Sequence, residues 1–514
     1  MGSNYGKSLY KDYELVLTEN EALRAEVKLL KKQAQLLEKE IAYRRKLEAE
    51  LEELKAELEK LIKENLRLQG LVNMNGNNSG LPTSKTPINQ KKVIPNTRQK
   101  SGKAIGGQPG HTKKKLEAFR EEEITENEYH KEEVCPYCGN AAEETGNVTC
   151  KDELDYEVVV IKKRHHFPEC RCKACGKKFR TAIPKELKEE NQYGSSVKAL
   201  LLALMNIGNV SVGKVRKMMY GLSEEEINPS EGYIIKQQKK AALQLETFIS
   251  DLKKRCCGLE LVYRDDTVIF INTARGCLRF YGDEKTALYT AHRYKNKEGL
   301  DEDGILKLLP ATTTVMHDHD RVNYNKDYSF SNAECNVHLL RDLQKTTEHL
   351  GHEWSSGLKE LLERTNQERN KLIETGKESF EDAYILEFFR EFDRLMILGM
   401  EENKADYNRY YGADERTLLL RILDYKDNYL SWVTNFEIPF SNNLSERSLR
   451  GVKSKMKISG QFQTEESARY YAIIKSYIET CYRNGINEME ALVRLCKGNP
   501  YSVDEIYNRT KNEA

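Results

Sequence analysis

The sequence predicts a multidomain α+β protein: a long N-terminal coiled coil, a small cysteine-held ribbon, and an α/β domain interrupted by a helical insertion. Three observations predict it. Apolar residues recur at alternating steps of three and four between Val16 and Val72. Two C-x-x-C-G knuckles stand at Cys135–Gly139 and Cys172–Gly176. Stretches rich in β-branched and aromatic residues run into aspartates, and about 100 residues of helical pattern separate them from a basic helix that opens with a glutamate.

Composition sets the bounds. At roughly 100 to 200 residues per domain, 514 residues hold about three or four domains. Hydrophobic residues make up 39% and charged residues 32%, a polar balance that implies long solvated helices. The net charge is only +1, yet no acid lies between Glu64 and Glu117, where Arg67, Lys85, Lys91, Lys92, Arg98, Lys100, Lys103, Lys113, Lys114 and Lys115 stand. No apolar run approaches the 18 or so residues of a membrane span, and MGSNYGKSLYKDYE has no signal-peptide core. The expectation is a cytoplasmic protein with no membrane partner. In that reducing compartment clustered cysteines favour metal over disulfide, and six of the twelve cysteines fall between Cys135 and Cys175.

The elements follow in order. Over 12–72, Val27, Leu30, Ala34, Leu37 and Ile41 form a heptad seam, and Leu47, Leu51, Leu54, Leu58, Leu61, Asn65, Leu68 and Val72 resume it. The step from Ile41 to Leu51 is ten residues instead of seven, a three-residue stammer. The simplest assembly is a homodimer, with Asn65 fixing register; a higher oligomer, or a single helix folded back on the body, is the alternative. Residues 73–116 carry four of the eleven prolines and almost no large apolar residues, so they read as a basic flexible linker able to track phosphates, Lys113, Lys114 and Lys115 among them.

Residues 117–185 read as a zinc-binding ribbon. Each C-x-x-C brings two sulfurs to one ion and the following glycine permits the tight turn, so Cys135, Cys138, Cys172 and Cys175 make one structural Zn²⁺ site; Cys170 lies too near Cys172 and is left out. VVVIKKRHHF and the KKF after the second knuckle supply strand-like material. Residues 190–255 are a helical DNA-binding or connecting region.

The α/β domain spans 256–480. Leu259–Ile271, CLRFYG and TALYTAHRY read as neighbouring strands, and ATTTVMHDHD as a further one ending at Asp318 and Asp320. A helical insertion at about 332–430 precedes NNLSERSLR, where Glu446 stands among Arg447 and Arg450 and is followed by Lys453, Lys455 and Lys457. A helical tail, 481–514, closes the chain. Acids delivered by several elements suit a two-metal phosphoryl-transfer site: two Mg²⁺ (or Mn²⁺) ions about 3.5 to 4 Å apart bind hard carboxylate oxygens. Arginines beside them can grip phosphate. His317 and His319 are expected to make local contacts. Cys335 and His338 lie one helical turn apart and form either a contact near the insertion or a packed cysteine with a surface histidine. Trp354 and Trp432 are core by default; an exposed Trp could wedge at a flipped base.

The order of coiled coil, basic linker with GGQPGH (Gly106 to His111), paired knuckles, D-D-T at Asp265 to Thr267, a strand-ending aspartate, C-x-x-H at Cys335 to His338 and N-N-x-x-E-R-x-x-R at Asn442 to Arg450 resembles the transposases of insertion-sequence family 66. The resemblance spans nearly the whole chain. It implies a leucine-zipper N-terminus, a zinc-binding module and an RNase H-like DDE catalytic domain that joins the ends of a mobile element to target DNA. By motif, Asp265, Asp318 and Glu446 carry over as the catalytic magnesium-binding acids. The family's D-E-T is D-D-T here, which keeps Asp266 a rival, and its D-G-Y after the second acid is replaced by His319-Asp320-Arg321-Val322, which keeps Asp320 another. Arg447, Arg450 and Lys453 are the expected DNA contacts. Double-stranded DNA at element ends and target, the homodimer, and companion proteins of the same element are the implied partners. The alternatives are a DNA-binding regulator without activity and an RNase H-like nuclease that cuts without joining.

Overall fold

The computed structural model describes residues 3–73, 118–130, 132–184, 187 and 189–512. The basic linker, with Lys113, Lys114 and Lys115, lies outside the described residues. The chain divides into two compact units.

One unit takes the described residues of 1–94 together with Leu340–Thr365 and Asp382–Asp424. Its first element is a single helix, α1 (Ser3–Asn73), continuous through the stammer. The seam leucines stay open in the monomer, with Leu54 63% and Leu58 58% exposed. A row of leucines at heptad spacing therefore has no cover among the described residues. The unit also holds the insertion segments described below.

The second unit takes the described residues of 95–339 with Asn366–Glu381 and Tyr425–Ala514. Each knuckle forms as its spacing predicts. Gly139 and Gly176 adopt left-handed φ of 74° and 69°, and their amides return to the carbonyls of Cys135 and Cys172 at 2.9 Å each. The backbone N–H groups of Tyr137 and Cys138 hold the Cys135 thiol below its usual pKa, and those of Cys175 and Ala174 do the same for Cys172. The second knuckle sits inside a short antiparallel hairpin of β1 (Glu169–Arg171) and β2 (Lys178–Arg180). VVVIKKRHHF, expected as strand, has no ladder; β-branched residues favour a strand only where a partner strand offers itself.

Four helices follow: α2 (Ser195–Asn206), α3 (Val212–Leu222), α4 (Glu231–Gln244) and α5 (Glu246–Cys257). The main sheet then unfolds as β3 (Leu261–Ile271), β4 (Ala274–Gly282), β5 (Ala287–His292), β6 (Thr314–His317) and β7 (Ser331–Glu334), with α6 (Lys297–Asp303) between β5 and β6. The strand order is β5-β4-β3-β6-β7; β4 is antiparallel to both neighbours, and β3, β6 and β7 are parallel. Strand β7 lies inside the stretch expected to be helical. Its sequence, SNAE, carries no β-branched residue, and only pairing with β6 makes it a strand.

The helices of the insertion are α7 (Asn336–Leu350), α8 (Glu353–Glu374), α9 (Asp382–Asp406), α10 (Gly412–Asp424) and α11 (Lys426–Thr434). The chain closes with α12 (Asn443–Ile458), α13 (Glu465–Arg483), α14 (Glu488–Cys496) and α15 (Val503–Asn512). Both faces of the sheet are covered. On one, Ile269, Ile271, Leu278 and Phe280 pack with Leu444, Leu449 and Val452 of α12 and Tyr471 of α13. On the other, Val262, Tyr281 and Val315 join α2, α4, α5 and the C-terminal helices in the larger core. Trp354 and Trp432 are both core, 0% and 1% exposed.

Candidate metal centre

The sheet register assembles the site. Strand β3 pairs Tyr263 with Met316 of β6, and β6 pairs Met316 with Ala333 of β7. Two residues further on come Asp265, still inside β3, and Asp318 and Cys335, each the first residue past the end of its strand. Period-two alternation keeps them on the face of Tyr263, Met316 and Ala333, and that face is the one α12 covers. Helix α12 brings Glu446 in its first turn, and α7 brings His338 one turn after Cys335. The ligand atoms of Asp318, Cys335, His338 and Glu446 all lie within 4.8 Å of one another. Among the described residues this is the group of at least three such side chains close enough to share an ion; the four knuckle sulfurs do not gather as closely.

The same alternation separates the rival acids. Asp266 points to the opposite face, where Lys295 bridges it to Asp320 at 3.0 and 3.3 Å and Arg264 adds a 3.3 Å contact. Arg264 is itself held by Asn323 at 2.7 Å. Asp266 and Asp320 are thus neutralised by protein cations, away from Asp318 and Glu446.

Asp265 is in the opposite electrostatic condition. Burial, and then the charge of Asp318 beside it, push its carboxyl up to about 7. Asp318 stays ionised: burial opposes its charge, but His338, 3.2 Å away, and Asn442 outweigh that and lower its pKa. Burial likewise opposes charge on His338, yet the contacts with Asp318 and Cys335 push its imidazole up to about 11. Two carboxylates side by side in a half-dry pocket repel, and a divalent cation relieves that repulsion.

Asn442 organises the pocket; the N-N motif marked its position in the sequence but gave it no role. Fully buried as the N-cap residue of α12, it leaves capping aside. Its Nδ2 donates to the Arg264 carbonyl at 2.9 Å and to Asp318 Oδ1 at 3.4 Å, while its backbone N–H donates to Cys335 Sγ at 3.3 Å. The paired asparagines before Glu446 were the available signal. His317 and His319 serve local packing: His317 meets Asn332 at 2.8 Å, and His319 meets Glu334 at 2.8 Å. Arg447, Arg450, Lys453 and Lys457 form an exposed stripe along α12, with Arg447 3.6 Å from exposed Glu284. Lys455 departs from that stripe. It is 8% exposed, stacks near the Phe462 and Tyr471 rings, and burial lowers its pKa to about 8.

Residues 194–470 match the family model described as Transposase IS66 family, a span that runs from α2 into α13 and includes Asp265, Asp318, Cys335, His338 and Glu446. The chain belongs to the IS66 transposase family. No curated protein matches it. The family match stops short of α1 and both knuckles, so those modules rest on their own sequence and geometry. No described helix is long and apolar enough to cross a membrane.

Proposed function

We propose that this IS66-family protein is a DDE transposase whose Asp265, Asp318 and Glu446 hold two Mg²⁺ or Mn²⁺ ions in an RNase H-like domain, and that it cleaves element ends and transfers them to target DNA. The observation that carries this reading is the convergence of β3, β6 and α12 on one face, with the rival acids Asp266 and Asp320 engaged by Lys295 on the other. The mixed sheet with its single antiparallel strand, helices on both faces, supports the fold.

The three acids suit hard divalent cations: they offer oxygen ligands from three separate elements, and Asp265 gives up its proton readily near neutral pH. Bound there, such cations supply stabilisation of the charge that builds on the attacking and leaving oxygens of an in-line displacement. Asn442 orients Asp318 through Nδ2 and fixes the start of α12, which sets where Glu446 enters. The stripe of Arg447, Arg450 and Lys453 runs from that entry point and positions the scissile strand through its phosphates. In the first reaction water replaces one ester oxygen on phosphorus and frees a 3′-hydroxyl at the element end. In the second that hydroxyl attacks a target phosphodiester, forming one ester bond and releasing one, so no external energy source is needed.

The remaining modules fit this reaction. The open leucine seam of α1 supports pairing with a second copy, which would hold two element ends together. Each knuckle turn is preformed, and a structural Zn²⁺ would draw together the sulfurs of Cys135, Cys138, Cys172 and Cys175, which stand further apart than those of an occupied site; the linker lysines Lys113, Lys114 and Lys115 supply sequence-independent DNA contacts. Purified protein, Mg²⁺ and DNA carrying the ends of its own element, compared with Glu446→Gln, test the proposal. Cleaved and joined products are expected from the wild type alone. Binding without cleavage by either would favour a regulator, and cleavage without joining a nuclease.

A further inference from the structure

Cys335 and His338 have no part in holding a hard cation, which takes oxygen ligands. They nevertheless lie among the acids. We propose that Asp318, Cys335, His338 and Glu446 form a second, soft-metal site for Zn²⁺ that excludes the catalytic ions and locks the enzyme in an inactive state. The proposal rests on the reading of Asp318 and Glu446 as catalytic ligands.

The geometry suits the ion. Zn²⁺ binds sulfur at ~2.3 Å and imidazole nitrogen or carboxylate oxygen at ~2.0–2.2 Å, so tetrahedral ligand atoms are about 3.3 to 3.8 Å apart. The four ligand atoms here already lie within 4.8 Å of one another, and His338 Nδ1 and Asp318 Oδ1 are 3.2 Å apart. The widest of these separations exceeds a tetrahedral edge by about an ångström. One nitrogen, one sulfur and two oxygens are a donor set for zinc, and zinc outranks magnesium at any site containing them.

Cys335 receives a backbone donor at its sulfur, as a knuckle cysteine does. The Asn442 backbone N–H points at its sulfur at 3.3 Å, as the Tyr137 and Cys138 amides point at Cys135. Cys335 is 1% exposed, so its sulfur meets an ion only from the pocket side. Four protein ligands leave no open position, the mark of a structural site. Bound there, Zn²⁺ ties up two of the three carboxylates that catalysis needs. Asp265 stays outside the set.

That exclusion makes the test specific. Full-length wild type, Cys335→Ser, His338→Asn and Asp265→Asn are dialysed against Zn²⁺ and their bound metal is counted, with no DNA present. Cys335→Ser and His338→Asn should each bind one ion fewer than wild type while keeping the knuckle ion, and Asp265→Asn should bind as wild type does. In cleavage assays, each normalised to its own zinc-free rate, inhibition of Cys335→Ser should require zinc concentrations higher by at least about 10- to 100-fold. Unchanged zinc content and unchanged inhibition in Cys335→Ser would overturn the proposal, and so would an equal loss of the ion in Asp265→Asn. Because counting needs no catalysis, a protein that binds this zinc yet never cleaves DNA would count against the transposase reading and leave the site standing.

Discussion

The face of the sheet that α12 covers and the helical insertion treat buried acids in opposite ways. In the insertion, Glu415 is 2% exposed and accepts hydrogen bonds from His352 Nδ1 (2.7 Å), Trp354 Nε1 (2.6 Å) and Asn403 Nδ2 (2.9 Å). The other His352 nitrogen meets Asp406 at 3.1 Å, and Arg409 reaches Asp406 at 2.7 Å. The charges of this cluster are paired with one another. In the sheet, Asp265 and Asp318 crowd one pocket with Glu446 close to Asp318, and His338 makes the ion pair with Asp318 at 3.2 Å. Satisfied acids hold a fold together. Crowded ones store repulsion that a bound cation releases, and so they mark the site of function.

The comparison can be broken by substitution, and the largest effect should fall on activity. Asp318→Asn removes a proposed ligand, and loss of several kcal/mol of transition-state stabilisation should lower Mg²⁺-dependent cleavage about 10²- to 10⁴-fold in a strand-transfer assay. Glu415→Ala should leave cleavage chemistry alone but destabilise the insertion by about 1–3 kcal/mol, because His352 Nδ1, Trp354 Nε1 and Asn403 Nδ2 would lose an acceptor while Asp406 still faces His352; denaturant unfolding reads this. Asn442→Ala stands between the two regions. It should cost about 1–3 kcal/mol of stability and also weaken Mn²⁺ binding, measured calorimetrically, since the same amide ties Arg264 and orients Asp318.

Proton linkage sharpens the contrast. Burial opposes charge on His352, but its bonds to Glu415 and Asp406 raise its pKa above the ordinary 6.5. Its contribution is complete below about pH 6.5 and is lost as pH rises through the folded value, so the insertion should melt earlier at pH 9 than at pH 6. Asp265 is raised from 3.8 to about 7. Its contribution is present below about pH 4 and is lost as pH rises to 7, a loss that Asp265→Asn abolishes. Added Mn²⁺ should restore the second loss and leave the first untouched, which parallel melts across pH would show.

How much of this could be read in the sequence depended on whether the signal was local. Helix α1 followed from heptads, and both tryptophans were core as their size suggests. Asp318 was legible as a strand end, whereas Asp265 and Asp266, expected where a strand runs out, lie inside β3, which continues to Ile271. The choice of Asp265 over Asp266 needed the face of β3, and the separation of Asp318 from Asp320 needed Lys295, a residue 23 positions before Asp318 in the chain. Strand β7 was hidden because four polar and small residues carry no β pattern of their own. The role of Asn442 was hidden because its three bonds run to residues more than a hundred positions away.

The central claim is that the crowded acids of the sheet are a metal site held ready at a cost in stability. Thermal melts of wild type and Asp265→Asn with and without Mn²⁺ test it most directly. Asn is isosteric with Asp and can still accept the Asp266 backbone N–H, which lies 2.7 Å from Asp265 Oδ1. The account predicts that metal-free Asp265→Asn melts above metal-free wild type at pH 8, and that Mn²⁺ raises the wild type while barely moving the variant. A variant that melts lower than wild type and responds to Mn²⁺ as strongly would contradict it.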